Sequence, residues 1–246
     1  MSPDRQGLSL RAWWRRLLLL GLVAALTGCA TTVPADAGRS RNDPFERFNR
    51  HVFSFNEAVD QAVAKPVATA YRDMVPRPVR SGVGNFFGNL GDAWSTVNLF
   101  LQAKPAAGLN MGMRTLVNSV FGLGGVLEVA DELGLERTST EDLGQTLGRW
   151  GVGAGPYLVL PFMGPSTLRD TSVLLADVRD SGATYLLTND RERLAATVLQ
   201  LVNTRSRLLD ATKLFDDIAL DKYSLMRDAF MARRRSLVYD GDPPDE

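Results

Sequence analysis

Along most of this chain apolar side chains recur at intervals of three and four, and beyond residue 28 no apolar stretch is long enough to cross a membrane. The spacing dictates amphipathic helices, whereas a spanning helix needs about 20 consecutive apolar residues. Asp43-Pro44-Phe45-Glu46 reads as a helix start, with Asp43 as N-cap, Pro44 in the first turn and Glu46 completing a capping box. Phe45, Phe48, Val52, Phe55, Val59 and Val63 then mark one face, and Lys65-Pro66 ends or kinks the helix. Pro76 and Pro78 mark the next break. Val83, Phe86, Phe87, Leu90, Trp94, Val97 and Leu101 continue the helical pattern, interrupted by Gly82, Gly84, Gly88 and Gly91. Each glycine costs up to about 1 kcal/mol relative to Ala, so their density predicts close helix packing or a kinked pair. Pro105 opens a helix through Leu109, Met113, Leu116, Val117 and Val120 that stops at Gly122.

A short helix over Val126 to Leu133 and a Ser139-x-x-Asp142 cap follow. Then the periodicity fails. Trp150 to Pro165 reads W-G-V-G-A-G-P-Y-L-V-L-P-F-M-G-P, apolar but studded with Gly and Pro. It fits no regular helix, and its prolines argue against a central strand. Ser166 caps a helix to about Val178. Asp190 begins another, with Leu194, Val198, Leu201, Val202, Leu208 and Leu209 on one side. The last helix runs from about Ser224 to Val238 and carries Arg227, Arg233, Arg234 and Arg235. The expectation is an all-α fold of short amphipathic helices with one irregular Gly/Pro-rich apolar segment. The helical domain covers residues 43–239, and an acidic, disordered tail covers 240–246.

The first 28 residues form a separate unit. Arg5, Arg11, Arg15 and Arg16 precede an apolar run from Leu17 to Ala25, the pattern of a cleaved signal peptide. Leu26-Thr27-Gly28-Cys29 resembles the bacterial lipobox, in which the Cys becomes the lipidated first residue of the mature protein. Cys29 is the chain's single cysteine, standing where a lipobox needs one. Residues 29–42 read as a lipidated tether of small and polar residues. Ala30 rather than Asp follows the Cys, which by resemblance to lipoproteins of enteric-type bacteria implies sorting to the outer membrane. Acyl chains add roughly 0.8 kcal/mol per buried CH₂, so several of them hold the protein on a periplasmic membrane face.

Composition removes whole classes of function. Lys+Arg and Asp+Glu both number 28, so the basic excess of a nucleic-acid binder is missing. One Cys allows no internal disulfide, and one His excludes the clustered histidines of most zinc sites, so no metal site or cofactor is expected beyond the covalent lipid. There is no G-x-S-x-G elbow, P-loop, G-x-G-x-x-G or EF-hand loop. His51 is followed five residues later by Asn56, which misses the His-x₄-Asp pattern of glycerolipid acyltransferases. Catalysis is therefore not expected, and His51 reads as a surface or interface residue. The Trp, Phe and Tyr content suits an interfacial belt. If the irregular segment lies at membrane depth it must be buried in protein or line a cavity. Tyr157, Leu158, Val159, Leu160, Phe162 and Met163 are then candidates for an apolar passage or gate, against the alternative of a buried loop in an ordinary core.

Several strings together identify a family. Asp43-Pro44-Phe45-Glu46-Arg47-Phe48-Asn49-Arg50, Phe53-Ser54-Phe55-Asn56 and Lys65-Pro66-Val67-Ala68 resemble the start of the MlaA (VacJ) family of outer-membrane lipoproteins. Asn85-Phe86-Phe87-Gly88-Asn89-Leu90, Gly122-Leu123-Gly124-Gly125, Gly144-Gln145-Thr146-Leu147-Gly148 and Gly151 to Tyr157 continue the likeness. It extends through Gly164-Pro165-Ser166-Thr167-Leu168-Arg169-Asp170. Leu143, Glu128 and Met113-Arg114-Thr115 depart from the usual residues. The resemblance implies a ring-like arrangement of helices partly embedded in the periplasmic leaflet of the outer membrane, beside a trimeric porin. It implies a passive channel by which mislocalised phospholipids leave the outer leaflet, in retrograde transport that maintains lipid asymmetry. A soluble periplasmic MlaC-like carrier takes the lipid onward, and Arg227, Arg233, Arg234 and Arg235 are candidates for the carrier-facing surface. The alternative is an envelope scaffold that docks porins or other machinery. Replacing Cys29 by Ala is expected to abolish palmitate incorporation, read by radiolabelling of the expressed protein.

Overall fold

The computed structural model describes residues 43–180 and 187–244. The signal peptide, Cys29 and the tether lie outside the described residues. The first helix, α1 (Glu46–Val59), runs without a break into a π-helical turn (Asp60–Ala64) and then α2 (Lys65–Met74). The expected stop at Lys65-Pro66 is thus a change of helical register: Pro66, which has no N–H to give, sits in the first turn of α2 just beyond the wider π turn. Val75-Pro76 is the real break. Helices α3 (Arg77–Leu101) and α4 (Pro105–Phe121) pack antiparallel along much of their length. A 3₁₀ turn (Asp131–Leu133) replaces the short helix expected over 126–133, and α5 (Leu143–Arg149) follows. Strands β1 (Tyr157–Leu160) and β2 (Gly164–Thr167) form an antiparallel hairpin, and α6 (Leu168–Asp180), α7 (Asp190–Arg207), α8 (Leu209–Ile218) and α9 (Lys222–Val238) complete the chain.

Helix α3 is one uninterrupted element of 25 residues despite its four glycines. Two of them show why. A Cβ on Gly82 would stand 2.8 Å from the Val126 side chain, and one on Gly84 would overlap the guanidinium of Arg207. The glycines are where α3 admits its neighbours, so the close-packing expectation holds and the kinked pair does not form.

Helix α7 shows most plainly which way the helices face. Of its expected apolar stripe Leu194, Val198, Leu201 and Leu208 are exposed, Val202 is half-buried and Leu209 is buried, while Asn203 and Ser206 on the other side are buried. Asn203 Oδ1 accepts from the Tyr71 hydroxyl of α2 at 3.2 Å. The same inversion recurs between α3 and α5. Gln102 Nε2 donates to Glu141 Oε2 at 3.0 Å and to Thr146 Oγ1 at 3.1 Å, and Thr146 Oγ1 donates to Asn98 Oδ1 at 2.8 Å. Ser95 Oγ accepts from the Glu141 amide at 2.7 Å. Asn98, Thr146 and Ser95 are fully buried, and among the described residues buried polar and charged side chains outnumber buried apolar ones. Arg114 of α4, wholly buried, pairs with Glu128 and Asp131 and donates to the Leu135 carbonyl, fastening the 122–135 segment to its helix.

Three helices meet at Arg234 of α9. Its Nη1 and Nη2 donate to both carboxylate oxygens of Asp142, at 2.5 and 2.6 Å, and its Nε donates to Asp170 Oδ2 at 2.7 Å. Asp142 is the N-cap of α5, accepting from the Gln145 amide at 2.8 Å, and Asp170 lies in the first turn of α6. Past α9 the chain turns at Gly241 (φ +93°), with Asp240 paired to Lys104. Of the expected tail, 240–246, residues 240–244 are described and mostly exposed, with Arg235 donating to the Pro244 carbonyl; Asp245 and Glu246 lie outside the described residues.

Burial opposes ionisation of Asp142, but hydrogen bonds from Arg234 and Gln145 outweigh it and hold this carboxyl below the usual aspartate value. Its contribution to stability is therefore complete above the unfolded aspartate pKa near ~4 and disappears as pH falls through the lower folded value. Melting of the detergent-solubilised protein from pH 6 to pH 3 is expected to show this loss, and Asp142→Asn to remove that part of the slope while lowering the plateau.

Candidate functional site

The hairpin is the one extended element among the described residues, and α1 holds it in an unusual manner. Asn49 Nδ2 donates to the Tyr157 carbonyl at 3.0 Å and its Oδ1 accepts from the Val159 amide at 2.9 Å. Two turns along, Asn56 repeats the device: Nδ2 donates to the Leu160 carbonyl at 2.9 Å and Oδ1 accepts from the Phe162 amide at 2.8 Å. Asn49 thus satisfies outward-facing groups of β1 that a third strand would otherwise pair, and Asn56 satisfies the end of β1 and the turn that follows it. Asn49 Nδ2 also donates to Asp43 Oδ1 at 2.8 Å. Asp43 is consequently no helix cap: Phe45 occupies that position without a capping bond, and the buried Asp43 carboxylate accepts from Asn49 and the Tyr223 hydroxyl. Sequence reading quoted Asn49 and Asn56 within family strings but missed their role. The usable signal is their seven-residue spacing on the polar face of α1.

Strand alternation divides the predicted gate residues. Tyr157 and Val159 face inward, fully buried with Tyr223 and packed by Val52, Phe53, Phe230 and Met231. Leu158 and Leu160 face the other way and are half-buried, while Phe162 and Met163 in the tight turn are exposed. Phe162 adopts φ +62°, a conformation uncommon for a bulky residue, and its ring meets Phe55 edge-on at 5.3 Å. The six residues therefore do not share one surface, because a strand sends successive side chains to opposite faces. Burial, with the nearby Asp43 charge, raises the Tyr157 phenol above its ordinary range.

The four arginines of α9 also separate. Arg234 is half-buried and committed to Asp142 and Asp170; Arg227 pairs with Asp228 and Asp43 and lies beside the Tyr223 ring. Arg235 donates to the Pro244 carbonyl. Arg233 is the exposed member. The α9 arginines thus do not form a single exposed face. His51 is exposed, with Nδ1 2.6 Å from the Arg47 carbonyl oxygen. Among the described residues no group of three or more His, Cys, Asp or Glu is placed to hold a metal ion.

Two cavities accompany these elements. One, of about 580 Å³, lies between the first half of α3, Val126, and Ala196 and Leu199 of α7; Val79, Val83, Phe86 and Phe87 give it an apolar wall. The other, of about 790 Å³, lies between α9 and the loop joining α5 to β1, and combines Arg169, Arg234 and Asp228 with Val152, Met231 and Val238.

Outside, much apolar surface of the helices remains exposed. On α4, Leu109, Met113, Leu116 and Val120 form one line at helical spacing, with Leu116 60 % and Val120 69 % exposed. Val97, Phe100 and Leu101 on α3, Phe48 and Phe55 on α1, and Leu214 and Ile218 on α8 add further exposed apolar surface. Yet no described helix is long and apolar enough to cross a membrane. Many buried polar side chains and broad exposed apolar surface define a helical protein whose outer face is suited to contact with a lipid surface or a partner.

Comparison with known proteins places the chain more closely. Residues 41–237 match the family model of the MlaA lipoprotein, and the chain belongs to that family. It is 38% identical over 231 residues to the intermembrane phospholipid transport system lipoprotein MlaA of Shigella flexneri, covering 92% of this chain and 90% of that one. The MlaA of Escherichia coli (strain K12) gives the same identity and coverage. The Haemophilus influenzae protein of that name is 31% identical over 221 residues, covering 88% and 87% of the two chains. A structure solved in work on the structural basis for maintenance of bacterial outer membrane lipid asymmetry superposes with a TM-score of 0.71 at 37% identity. It covers 81% of this chain and 100% of its own.

Asn49→Ala strands the Asp43 carboxylate, the Tyr157 carbonyl and the Val159 amide together. It is expected to lower stability by about 2–4 kcal/mol, measured as the shift in thermal or denaturant unfolding in detergent. Leu116→Glu with Val120→Glu, made in the unlipidated Cys29→Ala form, changes only exposed side chains. Co-sedimentation with phospholipid vesicles is expected to fall at least about tenfold, since each apolar side chain buried in lipid contributes roughly 1.5–3 kcal/mol, with the melting temperature little changed.

Proposed function

We propose that this protein is an outer-membrane lipoprotein that provides a passive channel for removing mislocalised phospholipids from the outer leaflet, in retrograde transport that maintains lipid asymmetry. The observation that carries the reading is the inversion of the helices, whose apolar stripes face outward while Asn98, Thr146, Asn203 and Ser206 are buried. A lipid that changes leaflet must bring its headgroup past hydrocarbon while its chains avoid water. A wall polar on one side and apolar on the other lowers both costs. The task is one of binding and gating without bond chemistry, and in the absence of an energy source the gradient and the partners set direction.

In this reading the lipid on Cys29 anchors the domain from the periplasmic face of the outer membrane, and the outward stripes of α3, α4, α7 and α8 lie in the inner leaflet. Leu158, Leu160, Phe162 and Met163 border the passage, and Asn49 and Asn56 hold that border rigid. A trimeric porin seats the domain in the membrane, and a soluble MlaC-like carrier receives the lipid, with Arg233 the exposed cation of α9 available to it. The names of the relatives, as phospholipid transport lipoproteins, support the transport reading.

The test measures outer-leaflet phospholipid in a deletion strain complemented by the wild-type gene, by Cys29→Ala or by Leu160→Arg. Accumulation on deletion, relieved by wild type and by neither variant, is the expected result. An unchanged outer leaflet on deletion would remove lipid transport. Full rescue by Leu160→Arg would remove the hairpin from the passage.

A further inference from the structure

The larger cavity holds charged groups of both signs beside an apolar wall. Arg169, from the start of α6, is one of them, and its side chain is only 5 % exposed. Its Nε donates to Asp170 Oδ1 at 2.9 Å and its Nη1 to the Val152 carbonyl at 3.3 Å, which leaves Nη2 without an acceptor among the described residues. Along the facing loop, the amides of Gly153, Ala154 and Gly155 likewise donate to no acceptor among the described residues. Arg234 on the same wall is committed to Asp142 and Asp170 through all three of its nitrogens and acts as scaffold. Across from these donors, on α9, stands Asp228, whose carboxylate is 66 % exposed and tied to Arg227 at 2.8 Å. The apolar part of the lining is Val152, Met231 and Val238.

We propose that this cavity is a headgroup site for a zwitterionic glycerophospholipid. Arg169 Nη2 and the amides of Gly153 to Gly155 hold the phosphodiester, and Asp228 holds the ammonium. Val152, Met231 and Val238 cover the glycerol and the first methylenes. A phosphate oxygen on a buried guanidinium makes a charge-assisted bond in a setting little screened by water, and successive amides without an acceptor among the described residues add further donors along the lining. The second charge decides selectivity. Phosphatidylethanolamine satisfies Asp228, whereas phosphatidylglycerol brings no cation to it. The proposal rests on the phospholipid-transport reading and adds a headgroup preference to it.

The experiment titrates the purified full-length lipoprotein in detergent with dihexanoyl phosphatidylethanolamine, dihexanoyl phosphatidylglycerol or inorganic phosphate, followed calorimetrically. Phosphatidylethanolamine is expected to bind about tenfold more tightly than phosphatidylglycerol, the order of one partly desolvated charge pair. Asp228→Asn brings the ethanolamine lipid down to the level of the glycerol lipid and leaves the latter unchanged. Arg169→Met weakens all three ligands. Should that buried substitution unfold the chain, Asp228→Asn, on an exposed side chain, carries the test alone.

Equal affinity for the two lipids in wild type, or a ratio untouched by Asp228→Asn, overturns the proposal. Inorganic phosphate binding as tightly as the ethanolamine lipid also overturns it, because the cavity is then an anion site only. The transport reading fails separately. A gene that leaves outer-leaflet phospholipid unchanged removes transport, while an ethanolamine preference dependent on Asp228 supports the headgroup site by itself.

Discussion

The Arg234 guanidinium, held by the two carboxylates of Asp142 and Asp170, is the contact on which the arrangement around the larger cavity depends. One side chain fixes the cap of α5, the first turn of α6 and the long final helix in a single geometry. A fork that fills two carboxylates at once leaves little freedom in the angle between the elements carrying them. The loop from Trp150 to Pro156 leaves one of those elements, α5, and lines the cavity together with Arg234 and others of α9, so the clamp fixes two of the cavity's walls to each other. The raised Arg234 and lowered Asp142 values share this cause: burial disfavours each charge, and the partners more than compensate.

That clamp belongs to a wider pattern forced by where the apolar faces point. A helix whose leucines face outward cannot join its neighbours through a greasy seam, so the contacts fall to side chains that hydrogen-bond. Tyr71 to Asn203, Asn98 to Thr146, Gln102 to Glu141, and Arg114 to Glu128 and Asp131 all serve this purpose. Polar contacts of this kind are also what holds helices together in lipid, where the surroundings are as apolar as the side chains and burial of leucine contributes little. The architecture suits a protein whose polar contacts lie inside while much of its outer surface stays apolar.

Much of the helix map was legible in the sequence because prolines, glycines and three-four spacing act locally. Pro105, Gly122, Asp142 and Asp190 fall at or beside the ends of the elements that form. The misses were tertiary. Asp43 has the sequence of a cap, yet Asn49 and Tyr223 draw it into the core. Trp150 to Pro165 looked irregular because its prolines argue against a central strand, but Tyr157 to Leu160 carries none and pairs in a two-stranded hairpin, with Asn49 bonding its outer edge and Asn56 its end and turn from a helix. Arg234 reads as one more cation in a basic run, and only the approach of two remote aspartates gives it a distinct role.

The sequence by itself determined that this chain makes amphipathic helices, since periodicity and helix-breaking residues are properties of a few neighbours. It also carried the family, through strings whose order no local rule explains. What it left open was which side of each helix faces the interior. A stripe of Leu194, Val198 and Leu201 opposite Asn203 and Ser206 is compatible with burial in a core or with exposure to lipid, because periodicity locates the two faces without assigning either. That choice was made by the folded structure, where carboxamides, hydroxyls and ion pairs from distant segments met and left the leucines outside.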